Sequence, residues 1–237
     1  MITLHGSTPR FGLPSASSFI SKAEILLKMA GVPYRHVEAN FSRAPKGKIP
    51  FLEEDGKLLG DSTFIRLHLE DRHGANFDAG LDASEKATAQ AFEVMCDEHL
   101  YWATVHARWT VAENFERGPR HFFDSAPALL RPVIVAMVGR SVVRTLKGQG
   151  FGRHTKQEVE QLAIRDIDAI AAFIGDKPFL MGNEPCGADA SVWSGVAGVL
   201  CKHFTTPIRD HAEKHANLVA YSARGMARWF PELVQSS

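Results

Sequence analysis

Residues 47–65 read GKIPFLEEDGKLLGDSTFI. Two apolar pairs, Phe51-Leu52 and Leu58-Leu59, flank the dipeptide Asp55-Gly56. An Asp-Gly turn between apolar runs is a strong hairpin signal, because both residues tolerate positive φ. The stretch predicts antiparallel strands over 50–54 and 57–59. Pro50 heads the first of them, where it removes a ladder donor and restricts Ile49 before it. A trans edge proline is one reading. A cis bond, found at about 5–6% of X–Pro bonds in folded proteins, is the other, and it would leave the backbone of Ile49 facing outward and unpaired. Gly60-Asp61-Ser62 follows the hairpin at once, and Asp61 or Ser62 can cap a helix running to about His73, where Gly74 ends it.

Upstream, residues 2–5 form a strand candidate ahead of a loop rich in Gly, Pro and Ser. Ser17 or Ser18 can cap the next helix, in which Phe19, Ile20, Ala23, Leu26, Leu27 and Ala30 recur at helical spacing until Gly31 and Pro33 stop it. Residues 34–37 return as a strand, so this is a β-α-β unit with parallel strands. The eleven residues 38–48 are too few for a full crossover helix plus loops and predict an abbreviated one. The order over residues 1–75 is thus β-α-β-β-β-α. From Ala83 onward every pattern is helical: 83–115, 132–147, a helix opened by the capping box Thr155-Lys156-Gln157-Glu158, then 188–203 and shorter helices from Pro207 and Asn217. Two domains are expected, an α/β one over 1–75 and an all-α one over 83–237.

Composition narrows the function classes. The 237 residues carry 27 Lys+Arg and 27 Asp+Glu, so nothing favours a nucleic-acid or acidic-lipid partner. Cys96, Cys186 and Cys201 are few, odd in number and never paired as CxxC, which argues against a disulfide scaffold or a dithiol redox site. The N-terminus lacks the basic and apolar regions of a signal peptide, and Arg131, Arg140 and Arg144 interrupt the most apolar stretch, so no membrane span is expected. A cytoplasmic protein of enzyme size is the expectation.

Ile49-Pro50-Phe51-Leu52, then Asp61-Ser62, then a helical half containing Gly182-Asn183-Glu184-Pro185-Cys186-Gly187-Ala188-Asp189, resembles the glutathione transferase superfamily. The stretches FISKAEILLKMAGVPY (19–34), GQGFGRH (148–154), DKPFLMG (from Asp176) and NLVAYSARGMARWFPEL (from Asn217) look most like its failed axon connections/metaxin-like branch. The resemblance covers nearly the whole chain. It implies a thioredoxin-like N-terminal domain followed by the helical C-terminal domain of that superfamily, glutathione as co-substrate, no metal, and pairing of two chains.

It also implies roles for particular residues. The backbone of Ile49 before Pro50 would pair with the cysteinyl part of glutathione, a one-rung strand addition. Asp61 would accept from the γ-glutamyl ammonium. Ser62 and the helix N–H groups would hold the neighbouring carboxylate. Lys48 or Lys46 would meet the glycyl carboxylate. The position acting on the sulfur falls on Ser17 in the triplet Ser17-Ser18-Phe19, where relatives carry Cys-Pro-Phe or Ser-Pro-Phe. Ser15 and Ser18 stand beside it as alternatives, and Ser17 could equally be a plain helix cap. A thiol of pKa about 8.5 is only ~3% ionised at pH 7, and lowering it by two units makes it about three-quarters thiolate for ~2.7 kcal/mol of differential stabilisation.

Other residues are weighed on the same terms. Met95, His99, Trp102, His106 and Trp109 share one helical face, read as core or dimer contact, with Trp102 and His106 as candidates for an electrophile site. Cys186 stands where a hydroxyl would cap the helix containing Asp189, which predicts a weaker tie. Cys96 and His99 lack further ligands. His211 and His215 at i, i+4 do not form HExxH and read as an exposed, charged helix. The function expected is conjugation of glutathione to a small apolar electrophile. The alternatives are a non-catalytic interaction protein of the same fold and a glutathione-dependent isomerase or dehalogenase.

Overall fold

The computed structural model describes residues 1–234. Strands β1 (Ile2–Gly6), β2 (Tyr34–Glu38), β3 (Phe51–Glu54) and β4 (Lys57–Gly60) form one sheet in the order β2-β1-β3-β4. β1 and β2 are parallel, joined through α1 (Ser18–Met29); β3 lies antiparallel to both β1 and β4. All five residues of β1 are buried, which suits a strand between two others with helices over the sheet. The abbreviated crossover is a single 3₁₀ turn, Phe41–Arg43. Asp55 and Gly56 both take positive φ at the hairpin, as their residue types allow.

The register decides what meets at the end of this sheet. His5 stands opposite Phe51, their rings stacked at 4.3 Å, and Phe51 stands opposite Gly60. The C-terminal end of β1, the N-terminal end of β3 and the C-terminal end of β4 therefore lie together. Pro50 precedes β3 there, Asp61 and Ser62 follow β4, and the loop to Ser17 leaves β1 from the same end. Helix α2 (Ser62–His73) begins at this point and closes on Gly74 at φ 66°.

The remaining elements are helical. The run predicted over 83–115 is instead α3 (Ala83–Met95), a π turn (Cys96–Leu100), α4 (Tyr101–Trp109) and, after a break, α5 (Ala112–Arg117). At the break Val111 is extended, and the Asn114 amide of α5 donates back to the Ala107 carbonyl at the end of α4. Then follow α6 (Arg131–Gln149), α7 (Lys156–Ile174), α8 (Asp189–Val199), α9 (Pro207–Ala212), α10 (Ala216–Trp229) and α11 (Pro231–Val234). The Thr155–Glu158 capping box is formed in both directions. α8 ends four residues earlier than its apolar pattern predicts, where Cys201 turns away to donate to the Phe11 carbonyl.

α8 is the buried centre of the helical half, and it packs on α1 of the sheet-bearing half. Trp193 is enclosed by Trp229 and Phe230, and its indole N–H donates to the Ser222 carbonyl. Gly225 is small of necessity: a Cβ there would lie 2.2 Å from the Trp193 indole. At the start of α8 the Cys186 sulfur faces the backbone N–H groups of Ala188 and Asp189, as a weak acceptor. The Asp189 carboxylate carries the connection, accepting from the N–H groups of Cys186 and Leu180 and from the Tyr221 hydroxyl.

The two halves meet across buried charge. Lys22 of α1 is fully enclosed and donates to Glu93 at 2.8 Å and Asp97 at 2.6 Å. Arg66 of α2 donates to the other Glu93 oxygen at 2.6 Å, to Asp78 and to Glu70. Burial alone would lower the Lys22 ammonium, but the carboxylates of Asp97 and Glu93 outweigh it and hold its pKa above the usual value. Asp97 is displaced upward by burial.

Candidate functional site at the end of the sheet

The Ile49–Pro50 bond is cis. The strand ladder begins only at Phe51, and the N–H and carbonyl of Ile49 make no hydrogen bond among the described residues. The Pro50 carbonyl accepts from the Asp61 N–H at 3.2 Å, which ties the proline directly to the start of α2.

Asp61 is the N-cap of α2, with φ 91°, a left-handed value costly for a residue other than glycine. Its carboxylate accepts from the Thr63 N–H at 3.1 Å and pairs with Lys48 at 3.2 Å. Burial pushes this carboxyl up, but the Thr63 N–H and the Lys48 and Lys46 ammonium groups together hold it below its ordinary range. Lys46 lies 4.0 Å over the Phe64 ring. Ser62 is buried, and its hydroxyl makes no hydrogen bond among the described residues. Lys46, Lys48, Asp61 and Ser62 are thus collected around one helix N-terminus, beside a free backbone edge.

The three serines before α1 separate by their partners. Ser15 is buried and engaged: its hydroxyl accepts from the Ser17 N–H and bonds to the Ser7 hydroxyl at 2.8 Å. Ser17 is the N-cap of α1 but makes no side-chain cap bond, leaving its hydroxyl unpartnered at a helix start. Ser18 is the first residue of the helix.

The helical half reaches this end through α4, though not by the face the sequence suggests. Tyr101 packs on Phe19 at 4.5 Å, and Arg108 donates to the carbonyls of Ala16 and Gly198 at 3.0 and 2.8 Å. Trp102 leans edge-on against Tyr101, and its buried indole N–H has no partner among the described residues. His106 points elsewhere: it lines a crevice with Lys156 and Glu160 of α7 and Pro207 and Ile208 of α9. One step around a helix separates the 101/108 stripe from 102/109, which is enough to send His106 into the helical half. Sequence reasoning missed Tyr101 and Arg108; their spacing of seven, in register with the buried carboxylates at 93 and 97, is the signal that could have found them.

The loop between β1 and α1 fills the angle between the halves. Phe11, at φ 61°, stacks on His203 and packs against Phe204 and Phe122. Arg108 lies over the Phe204 ring at 4.6 Å. All three cysteines are buried, and burial raises each thiol, Cys186 to about 12. None is a low-pKa nucleophile. His211 and His215, expected on an exposed charged helix, are half-buried and turn together onto Asp168. No helix among the described residues is long and apolar enough to cross a membrane.

Comparison with known proteins agrees with this architecture. The family "Glutathione S-transferase N-terminal domain" matches residues 18–115, and "Glutathione S-transferase, C-terminal domain" matches 163–224. The chain is 29% identical over 232 residues to the isoprene-epoxide–glutathione S-transferase of Rhodococcus sp. (strain AD45), covering 94% of this chain and 97% of that one. It is 28% identical to Failed axon connections of Drosophila melanogaster, covering 93% of this chain and spanning 56% of that protein's length. It is 26% identical to Metaxin-1 of Mus musculus, with 93% and 73% covered. Among solved structures, the β-etherase LigF from Sphingobium sp. strain SYK-6 superposes with a TM-score of 0.69 at 18% identity, covering 100% of this chain and 99% of that one. A glutathione S-transferase from Methylobacterium radiotolerans in complex with glutathione sulfonate superposes at 0.66 and 21% identity, with 98% and 94% covered. The cis-proline edge, the helix start at Asp61-Ser62 and the helical half thus sit in a thioredoxin-like plus all-helical fold, and the chain belongs to the glutathione S-transferase superfamily.

Proposed function

We propose that the chain binds glutathione at the end of the sheet and conjugates its thiolate to a small apolar electrophile. The observation that carries this is the pairing of an unbonded Ile49 backbone with a helix start at Ser62, a buried residue whose hydroxyl has no partner among the described residues. A peptide-like ligand satisfies both. Its cysteinyl N–H and C=O pair with Ile49. Its γ-glutamyl carboxylate takes the Ser62 hydroxyl and the free N–H groups of the first turn of α2. The γ-glutamyl ammonium competes with Lys48 for Asp61, and the displaced lysine, or Lys46, is left to meet the glycyl carboxylate. Lys48 is mostly exposed, so giving up Asp61 costs it little.

The thiolate then lies toward the start of α1. The Ser17 hydroxyl donates to the sulfur, and the helix N-terminus adds partial positive charge. Arg108, held on the Ala16 carbonyl, contributes a full positive charge from the other half. The electrophile would enter against Trp102, Tyr101 and the Phe11 loop. Attack forms a carbon–sulfur bond while the electrophile opens or loses its leaving group, and a proton from solvent completes the product.

Retention on immobilised glutathione, and a rise in melting temperature with free glutathione, test the binding step. If neither occurs, the reading fails. Retention without turnover of an epoxide favours a second reading, an interaction protein keeping the site's shape. One observation supports that reading: the aromatic packing of Phe11 against Phe122, His203 and Phe204 occupies the angle where an electrophile would enter. Pairing of two chains is part of the proposal. Exposed Phe64, Leu67, Val94, Val133 and Met137 supply apolar surface on α2, α3 and α6, and light scattering on the purified chain tests it.

A further inference from the structure

Away from the sheet end, three elements of the helical half converge on one point. Asp168 comes from α7, His211 from α9, and His215 stands just before α10. The His211 Nε2 lies 2.7 Å from the Asp168 Oδ1, the His215 Nε2 lies 3.0 Å from the same oxygen, and the two nitrogens are 3.4 Å apart. We propose that these three side chains form a binding site for a divalent transition-metal ion, for which Zn²⁺ serves as the probe.

The spacing of the three donor atoms suits such an ion. The corners of this triangle lie about 1.8 Å from its centre. An ion about 1 Å above its plane is then about 2.05 Å from all three atoms, the usual zinc distance to imidazole nitrogen and carboxylate oxygen. Without an ion the arrangement is crowded. Two imidazoles turn the same nitrogen onto a single oxygen, and if both are protonated their charges face each other at 3.4 Å. Neutral imidazoles beside one carboxylate are the donor set of zinc, cobalt and nickel rather than of calcium or magnesium, which take oxygen ligands. The side chains are partly exposed, so the remaining coordination position opens to water.

The site fastens elements that are otherwise held at another point. Asn217 already donates to the carbonyls of Ala171 and Gly175, tying the C-terminal end of α7 to α10. A metal at Asp168 adds a second tie about one turn earlier on α7. A similar grouping, Glu54 with His68 and His73, lies on the sheet-bearing half, with both histidines on Glu54. Its donor set is the same, so His73→Ala, which breaks it, shows which of the two groupings holds a bound zinc.

The test uses the full chain, stripped with chelator and dialysed against Zn²⁺, with bound metal measured by elemental analysis. The wild type and His73→Ala are expected to retain one zinc more than His211→Ala/His215→Ala, and Asp168→Asn is expected to bind at least tenfold more weakly. At a hundredfold excess over Kd, zinc should raise the melting temperature of the wild type by about 5–10 °C and leave the double variant unmoved. Co²⁺ should give visible d–d bands in the wild type that the double variant lacks, and Ca²⁺ and Mg²⁺ should give no shift. Equal zinc content in the wild type and a double variant of unchanged circular dichroism overturns the proposal. So does loss of the zinc in His73→Ala alone.

Discussion

Replacing Lys22 by Met removes the cation that two carboxylates share. Lys22 is fully buried, so the methionine fills nearly the same space and the change is one of charge. Glu93 keeps Arg66 at 2.6 Å and loses one of two partners. Asp97 keeps only the Ser191 hydroxyl, at 3.4 Å, and becomes the orphan. Breaking a buried pair typically costs about 3–5 kcal/mol, and because only one carboxylate is stranded the lower end, about 3 kcal/mol, is expected. For a chain of this size that is a fall in melting temperature of about 6–12 °C. The dependence on pH identifies the cause. Burial already holds the Asp97 carboxyl above its unfolded value, and losing Lys22 raises it further. A carboxyl with a raised folded pKa penalises folding above its unfolded pKa, increasingly so up to its folded one. The variant's deficit should therefore be greater at pH 7 than at pH 5 in parallel urea titrations. The double change Lys22→Met/Asp97→Leu should recover most of the loss. A deficit below about 1 kcal/mol, or the same deficit at both pH values, would refute the electrostatic account of this interface.

Other outcomes follow from the same structure. Ser17→Ala should lower kcat/KM for conjugation by about tenfold to a hundredfold, the range of a thiol pKa shift of one to two units, while glutathione retention persists. Ser62→Ala removes a hydroxyl from a bound carboxylate and should weaken glutathione binding by about tenfold to a hundredfold in calorimetry, with little change in stability. Asp61→Ala loses the cap and keeps the left-handed strain, so it should cost about 2–3 kcal/mol, whereas Asp61→Gly relieves φ and should cost about 1 kcal/mol or less. Because the folded pKa of Asp61 is depressed, its contribution is present above the unfolded value of about 3.9 and is lost as pH falls through the folded one; the acid limb of the wild-type stability curve should flatten in Asp61→Gly. Gly225→Ala drives a methyl into the Trp193 indole and should cost about 1–3 kcal/mol by thermal melting, with a change in near-ultraviolet dichroism from the Trp193 and Trp229 pair.

The hairpin, the β-α-β unit and the helix start at Asp61 were legible because each is written locally, in turn chemistry and spacing. Asp-Gly demands its turn, and an aspartate before an amphipathic run caps it. The early end of α8 was not legible, because it depends on Cys201 finding the Phe11 carbonyl 190 residues away in sequence. The break after Trp109 sat within an unbroken apolar period, and the Asn114 amide that bridges it bonds to the Ala107 and Thr205 carbonyls, the second 91 residues away. At the site, Pro50, Asp61 and Ser62 came forward as a pattern. Arg108 did not, since its partner is the Ala16 carbonyl, an atom that no residue type announces. His211 and His215 were visible as a pair, but Asp168 lies on another helix and only the packing of α7 against α9 supplies it.

The charged seam between the halves also bears on how the chain is made. Synthesis delivers the sheet and α2 to water before the helices that cover them exist. A greasy docking face would then be a liability for as long as translation takes. Lys22 and Arg66 put two hydrated cations on that face instead, and Glu93 and Asp97 arrive later to neutralise them. The nascent first half can wait without sticking to its neighbours, and it is locked into register only when its own second half emerges.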